Sequence, residues 1–282
     1  CFSAKLPREM TISRIKSYTV VMCLLSFVFD KNSETPLIVI SNRDEFYDRA
    51  TLPMHWWPGE GILAGQDQQA GGTWLGLSEQ GRFAAVTNFR DLHQQHVSTL
   101  DPLSRGDLVT SFLRSSLSAN DWADNISSNL YQYGPFNLII YDGKEMFYLN
   151  NQGDPKTELS CGCYALSNHR LDSPWPKVNH ARAQLKSILQ NGNIDADVMS
   201  QLITALSSEK TYPQNTLPNT GIPLEWETLL SSPFIVSEGY GTRAASAVII
   251  SKTGLVQVVE RGFLNGVEIH LNEFSYDVLV TK

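Results

Sequence analysis

Cys23 stands directly after Met22, and it is the residue of the sequence best placed to act as a nucleophile. Removal of a methionine that precedes a small residue such as cysteine would make Cys23 the N-terminal residue. Its α-amine, with an ordinary pKa of about 7.7–8.0, would then be a base on the same residue as the thiol. In such an N-terminal nucleophile the thiol attacks and the amine carries the proton. The simpler alternative is a cysteine packed in the first strand, because free cysteines are often buried.

Four groups of polar residues adjoin apolar strands and could complete such a site. Residues 41–45 (SNRDE) follow the strand LIVI, 88–91 (NFRD) follow FAAVT, 167–168 (SN) follow CYAL, and 239–243 (GYGTR) precede AASAVII. Each group alone has a simpler explanation, since Asn and Asp favour turns and an exposed Arg–Asp pair contributes little. Four such groups beside Cys23 favour a functional site.

Other kinds of site have weaker support in the sequence. Cys161 and Cys163 form a single C-x-C pair with no second pair at zinc-ligand spacing, so no metal is predicted. Trp56 and Trp57 precede a proline, and such an aromatic pair either fills a packing corner or forms the wall of a ligand cleft.

The composition excludes several classes of protein. With 42% hydrophobic residues the chain is not disordered, and a net charge of −7 disfavours nucleic acid as a partner. The apolar run over residues 20–29 is too short for a transmembrane segment, which needs about 20 apolar residues. Four cysteines are too few for a disulfide scaffold, which favours a reduced, cytoplasmic location.

The elements that must position these residues are mostly short strands in hairpin pairs. This pattern predicts antiparallel sheets faced by helices, an α+β protein. A proline-rich surface loop is predicted over residues 208–233, and helices over 104–117, 174–189 and 195–206. Strands are predicted over residues 23–29, 37–41, 73–77, 83–87, 137–141, 146–149, 163–166, 245–250, 255–260 and 273–280.

The first 21 residues differ from the rest, being polar and basic. We expect residues 1–21 to be an unstructured extension, Met22 to be the natural start, and residues 22–282 to form a single domain.

Several stretches of the chain resemble the NRDE family over nearly all of residues 22–281. They are MCLLSF, SNRDEFYDR, AGGTWLGLSEQGRFAAVTNFR, YALSN and GYGTRAASAVI. The family is similar to N-terminal nucleophile hydrolases of the choloylglycine hydrolase and penicillin V acylase type. That resemblance implies an αββα sandwich, with two antiparallel sheets between helical layers.

The resemblance also implies roles for particular residues. Cys23 would be the nucleophile and Asp44 the carboxylate that orients its α-amine. Asn88 and Asn168 resemble the two asparagines of the acylase site, one of which donates to the oxyanion. Arg243 matches a late arginine that steadies the nucleophile.

Two functions follow from the resemblance and the residues. The first is a cysteine amidohydrolase that cleaves a linear amide through a thioester on Cys23 and needs no cofactor; Arg43 would belong to its catalytic site. The second is a non-catalytic protein that binds and moves haem, or another hydrophobic ligand, inside the cell. In either case we expect a cleft around Cys23, with a small-molecule amide or a haem-like compound as ligand and with walls that include Asn42, Arg43, Trp56 and Trp57.

Overall fold

The computed structural model describes residues 22–93, 102–153, 155–190 and 196–279, and it consists of two antiparallel sheets stacked face to face. The predicted extension over residues 1–21 lies outside the described residues. The strands are β1 (Met22–Phe29), β2 (Leu37–Phe46), β3 (Thr51–Trp56), β4 (Ile62–Asp67), β5 (Leu75–Ser78), β6 (Phe83–Asn88), β7 (Phe136–Tyr141), β8 (Met146–Asn150), β9 (Lys156–Glu158), β10 (Gly162–Leu166), β11 (Tyr240–Ile250), β12 (Leu255–Leu264) and β13 (Val267–Asp277).

One sheet has six strands in the order β10-β1-β2-β11-β12-β13, and the other has seven in the order β3 to β9. Successive residues of a strand point to opposite faces, so each central strand supplies two layers of the core. In β1, Leu25 and Phe27 face the other sheet, where they pack with residues such as Leu77 and Phe83, while Leu24 faces the helices.

Helices cover both outer faces of this pair of sheets. The helices α1 (Arg105–Arg114) and α2 (Ala119–Ser127) pack on the seven-stranded sheet through a shared apolar cluster. The helices α3 (Pro176–Leu189) and α4 (Ala196–Thr204) pack on the six-stranded sheet in the same way. The predicted αββα sandwich is therefore confirmed. Among the described residues no helix is both long and apolar enough to cross a membrane.

Two predicted elements differ from the structure in ways that matter for function. The strand β2 does not end before the NRDE segment but continues through it to Phe46, because β1 and β11 pair with it on both sides. The predicted loop over residues 208–233 contains the short helix α5 (Leu224–Leu229), whose Trp226 and Glu227 are buried. Pro223 directly precedes this helix, a position at which proline is compatible with helix initiation.

Candidate active site

A cavity of about 530 Å³ opens at the end of the sandwich where β2 finishes. A cleft of this size is typical of small-molecule sites. Residues of both sheets and of the segment that leads into α1 line it. They include Cys23, Arg43, Glu45, Arg49, Asp67, Gly72, Thr73, Trp74, Val86, Asn88, Ser104, Arg105, Gly106 and Gly134.

One wall of the cavity forms where two stretches of backbone touch. A Cβ atom added to Gly72 would lie 2.7 Å from the carbonyl carbon of Gly106, and one added to Gly106 would lie 2.9 Å from the amide nitrogen of Thr73. Only glycine fits at such distances, so these two residues set how closely α1 approaches the loop between β4 and β5.

Cys23 lies near the start of β1 and its side chain lines this cavity. It pairs with Arg43 of β2, and directly opposed residues share a face of the sheet. Burial, with a further contribution from the charge of Asp44, raises the pKa of the Cys23 thiol to about 12, although the Arg43 guanidinium opposes the shift. With residues preceding Cys23 still attached, the thiol is therefore protonated at neutral pH.

The NRDE segment presents alternate residues to the two faces of the six-stranded sheet. Arg43 and Glu45 line the cavity. Asn42 lies on the helical face, where its Nδ2 donates to the carbonyl oxygens of Leu206 at 3.0 Å and Pro233 at 2.8 Å. All four residues of the segment are buried.

Arg43 belongs to a network of charges on the cavity side. Its Nη2 lies 3.5 Å from Glu45 Oε2 and 3.4 Å from Asp67 Oδ2, and its guanidinium stacks over the Trp74 ring with its central carbon 4.3 Å from the centroid. Arg49 binds the same two carboxylates. The charge of each of these two arginines is thus matched by carboxylates.

Asp44 lies on the opposite, helical face and has an incomplete set of partners. Its Oδ1 accepts a hydrogen bond of 2.7 Å from Thr242, while Oδ2 is buried with no hydrogen-bond partner among the described residues. Asp44 is paired with Met22, the residue that precedes Cys23. The carboxylate therefore lies beside the end of β1 at which a free amine of Cys23 would be.

Lys177, in the first turn of α3, is a further residue of this region that the sequence analysis did not identify. It is only 2% exposed, and its Nζ has no hydrogen-bond partner among the described residues. Burial lowers the pKa of Lys177 and raises that of Asp44, and the attraction between the two charges opposes both shifts. A cation in the first turn of a helix is disfavoured by the helix dipole. A lysine that follows Trp-Pro at a predicted helix start is therefore unusual, and this was the sequence signal that could have pointed to Lys177.

Ser167 and Asn168 join the two sheets close to Cys23. Ser167 Oγ donates to the Cys23 carbonyl oxygen at 3.0 Å, and the Ser167 carbonyl accepts a 2.7 Å bond from Thr87 of β6. Asn168 is fully buried and its Nδ2 donates to the Asn88 carbonyl oxygen at 3.0 Å. Of the two asparagines, Asn88 lines the cavity, and Asn168 fixes the backbone of Asn88 through this hydrogen bond.

Arg243 acts on the turn after β2. It lies at a β-bulge of β11, and its Nη1 donates to the carbonyl oxygens of Phe46 at 2.9 Å, Tyr47 at 3.3 Å and Arg49 at 3.2 Å. The contact fixes the backbone that carries Arg49 into the cavity.

Three residues expected in the cleft walls lie elsewhere. Asn42 bonds to backbone on the helical face, as described above. Trp57 is buried in the cluster under α1 and donates from Nε1 to the Ala64 carbonyl oxygen at 3.1 Å. Trp56 packs edge-on against Tyr276 with ring centroids 4.9 Å apart. Both tryptophans therefore serve packing, and neither lines the cavity.

Within the described residues, no group of three or more His, Cys, Asp or Glu side chains could hold a metal ion. Cys161 is exposed and Cys163 is half-buried, and both are free thiols.

Comparison with known proteins gives consistent matches over most of the chain. The family model of Transport and Golgi organisation 2 matches residues 22–265. The Transport and Golgi organization 2 homolog of Mus musculus is 31% identical over 264 residues, covering 86% of this chain and 94% of the mouse protein. The Homo sapiens homolog is 30% identical over 276 residues, covering 91% and 98%. The Drosophila melanogaster protein is 26% identical over 271 residues, covering 88% and 94%.

Two solved structures are similar in overall shape. A mutant of the conjugated bile acid hydrolase from Clostridium perfringens matches with a TM-score of 0.46 and 8% identity, over 93% of this chain and 99% of the hydrolase chain. A Caenorhabditis elegans N-acylethanolamine-hydrolyzing acid amidase ortholog matches with a TM-score of 0.43 and 10% identity, over 82% and 93%.

Proposed function

The chain belongs to the Transport and Golgi organisation 2 family, and we propose that it is an N-terminal cysteine amidohydrolase that cleaves a linear amide through a thioester on Cys23. The observation that carries the proposal is the unpartnered, buried Oδ2 of Asp44 beside the start of β1. A buried carboxylate oxygen without a partner costs free energy, so its presence here calls for a functional explanation.

A free α-amine on Cys23 would supply the missing partner. Removal of Met22 would leave that amine next to Asp44, since Met22 and Asp44 are paired across β1 and β2. The Thr242 hydroxyl fixes the other carboxylate oxygen, so Oδ2 is oriented in advance. Lys177 supports the ionised form of Asp44 in a buried environment. The carboxylate would thus orient the amine without taking part in the bond changes.

Hydrolysis of the amide then needs only the groups of this site and one water molecule. The thiol of Cys23 gives its proton to the α-amine while sulfur bonds to the amide carbon, and the resulting oxyanion accepts a hydrogen bond from the Asn88 side chain. The carbon–nitrogen bond breaks as the α-ammonium returns the proton to the leaving amine. Water hydrolyses the thioester to a carboxylic acid and restores the thiol.

Exposure of the amine also explains how the thiol would be activated. A thiol pKa of about 12 makes Cys23 a poor nucleophile while residues precede it. A neutral α-amine on the same residue accepts the thiol proton, and the positive charge of the resulting α-ammonium group stabilises the thiolate. Removal of the preceding residues is therefore the expected step from an inactive to an active form.

The test compares protein that begins at Cys23 with the full chain, on a panel of N-acyl amides. N-terminal sequencing of protein from its native host shows which form occurs there. We expect hydrolysis only by the form that begins at Cys23, and its loss in Cys23→Ala but not in the matched control Cys161→Ala. A form that begins at Cys23 and hydrolyses none of the panel would contradict the proposal.

The same variants address haem carriage, the alternative that the sequence raised. Of the described residues that line the cavity, Cys23 has the only thiol and none is a histidine, so an axial protein ligand for haem would be Cys23. Haem affinity measured for wild type and Cys23→Ala tests this. Tight haem binding that is weakened in Cys23→Ala, with no amide hydrolysis by protein that begins at Cys23, would favour carriage over catalysis.

A further inference from the structure

Arg105 lines the cavity and, unlike Arg43 and Arg49, forms no ion pair with a carboxylate of the described residues. Its Nη1 donates to the Pro135 carbonyl oxygen at 3.2 Å, and it forms no ion pair within the described residues. The third carboxylate of the lining, Asp48, is exposed at the rim. Arg43 and Arg49, in contrast, share Glu45 and Asp67.

The pKa values of two arginines express this contrast. Burial lowers the pKa of Arg105 to about 10, and the charge of Arg49 lowers it further, while the charge of Glu45 opposes the shift without reversing it. Arg49 is also partly buried, yet its pKa is raised, because hydrogen bonding to Asp67 and the charge of Glu45 outweigh the burial. What Arg105 lacks, by comparison with Arg49, is a carboxylate within ion-pair distance among the described residues.

The position of Arg105 in α1 makes the lack of an ion pair more costly. Arg105 is the first residue of the helix, where the helix dipole favours negative charge and disfavours a cation. No side chain caps this helix end, and Ser104, Arg105 and Gly106 all line the cavity. A carboxylate bound here would satisfy both the guanidinium and the helix end.

We propose that the ligand of this cavity carries a carboxylate and that Arg105 binds it. The inference deepens the proposed function, since it takes the cavity around Cys23 as the substrate site. Both Cys23 and Arg105 line this one cavity of about 530 Å³, so the carboxylate and the amide that Cys23 attacks would belong to the same small molecule. N-acyl amino acids have this chemistry: a linear amide with a carboxylate close to it.

The experiment uses two probes that differ only in charge, N-octanoylglycine and its neutral counterpart N-octanoylglycinamide. Dissociation constants are measured by calorimetry on the full chain carrying Cys23→Ala, so that neither probe is consumed. A charge-assisted pair predicts that the acid binds about tenfold to hundredfold more tightly than the amide. Arg105→Gln should remove this preference and Arg105→Lys should restore part of it.

Arg114→Gln is the matched control. Arg114 lies in the same helix, half-exposed and paired with Glu60 at the surface away from the cavity lining, so its loss should leave the preference unchanged. Thermal unfolding of each variant shows that the helix remains folded. Equal affinity for the two probes, a preference that survives Arg105→Gln, or binding of neither probe would overturn the proposal.

The outcomes separate this inference from the proposed reaction. Binding that depends on Arg105, without hydrolysis of either probe by protein that begins at Cys23, overturns the reaction and supports the carboxylate site. Hydrolysis of both probes at equal kcat/KM, unaffected by Arg105→Gln, supports the reaction and overturns the carboxylate site.

Discussion

The residues of the NRDE motif alternate between the two faces of β2, and the two faces differ in how their buried charges are partnered. On the cavity face, Arg43 and Glu45 lie within a network in which opposite charges are matched. On the helical face, Asp44 and Lys177 are both buried, and each leaves a polar atom without a partner. A buried charge without its full set of partners is costly and is seldom retained for stability alone. The comparison indicates that the cavity face shapes the site, while the helical face holds the carboxylate that we propose to orient the Cys23 amine.

The largest effect that tests this comparison is expected from Asp44→Asn. Loss of the carboxylate that orients the amine should lower kcat by about 10⁴-fold, the size of the effect when the carboxylate that orients a catalytic base is replaced by an amide. The control is Asn42→Ala on the same face, which should lower the free energy of unfolding by about 1–3 kcal/mol and leave kcat near wild type, because Asn42 bonds only to backbone. Equal losses of kcat in the two variants would show that this face is structural.

The next effect concerns the oxyanion. Asn88→Ala should lower kcat by about 10²–10³-fold with little change in stability, as expected for one oxyanion donor. Asn168→Ala should lower both kcat and thermal stability, because its amide holds the Asn88 backbone. Steady-state kinetics and thermal unfolding of both variants provide the measurement. An unchanged rate in a folded Asn88→Ala protein would assign Asn88 to the cavity wall only.

The pair on the helical face can be tested by stability alone. Asp44→Asn and Lys177→Met each leave one buried charge without its opposite, and each should cost about 3 kcal/mol. The double variant should lose less than the sum of the two by at least about 1 kcal/mol, because the charges interact. Urea unfolding measures all four proteins. Strict additivity would mean that the two side chains act independently.

On the cavity face, Arg43→Gln should make the Cys23 thiol less reactive. The Arg43 charge opposes the rise in the thiol pKa, so its loss should raise that pKa further. Each unit of pKa changes the thiolate fraction about tenfold below the pKa. The rate of iodoacetamide labelling at Cys23 between pH 8 and 10 measures the effect, with labelling of the exposed Cys161 as the internal control. Faster labelling of Cys23 in the variant would contradict the assignment.

The smallest effect is expected from Trp56→Ala, which probes a region away from both faces. Loss of the edge-on contact with Tyr276 should cost about 0.5–1.5 kcal/mol of stability beyond the lost burial. Turnover and ligand affinity should not change, since Trp56 does not line the cavity. A reduced affinity for the probes would restore the sequence-based expectation that Trp56 forms part of the cleft wall.

The sequence predicted the architecture well because hydrophobic patterning and turns between hairpins are local signals. It placed the NRDE segment after β2 instead of within it, because alternating polar residues resemble a turn when the strands that pair with them are unknown. For the same reason it could not assign Asn42 and Arg43 to opposite faces. Lys177 and Arg105 were missed because Lys177 is defined by a buried Nζ without a hydrogen-bond partner and Arg105 by the lack of an ion pair, and only the packed chain shows either.

The bond between Asp44 and Thr242 joins residues 198 positions apart in the chain. At a synthesis rate of about 5–20 residues per second, Thr242 follows Asp44 out of the ribosome by about 10–40 s. A methionine ahead of Cys23 could be removed long before that, so the free amine would exist before the carboxylate that orients it is held in place. Because Asp44 is made early and Thr242 late, a chain that stops before Thr242 lacks the hydroxyl that fixes Asp44 Oδ1.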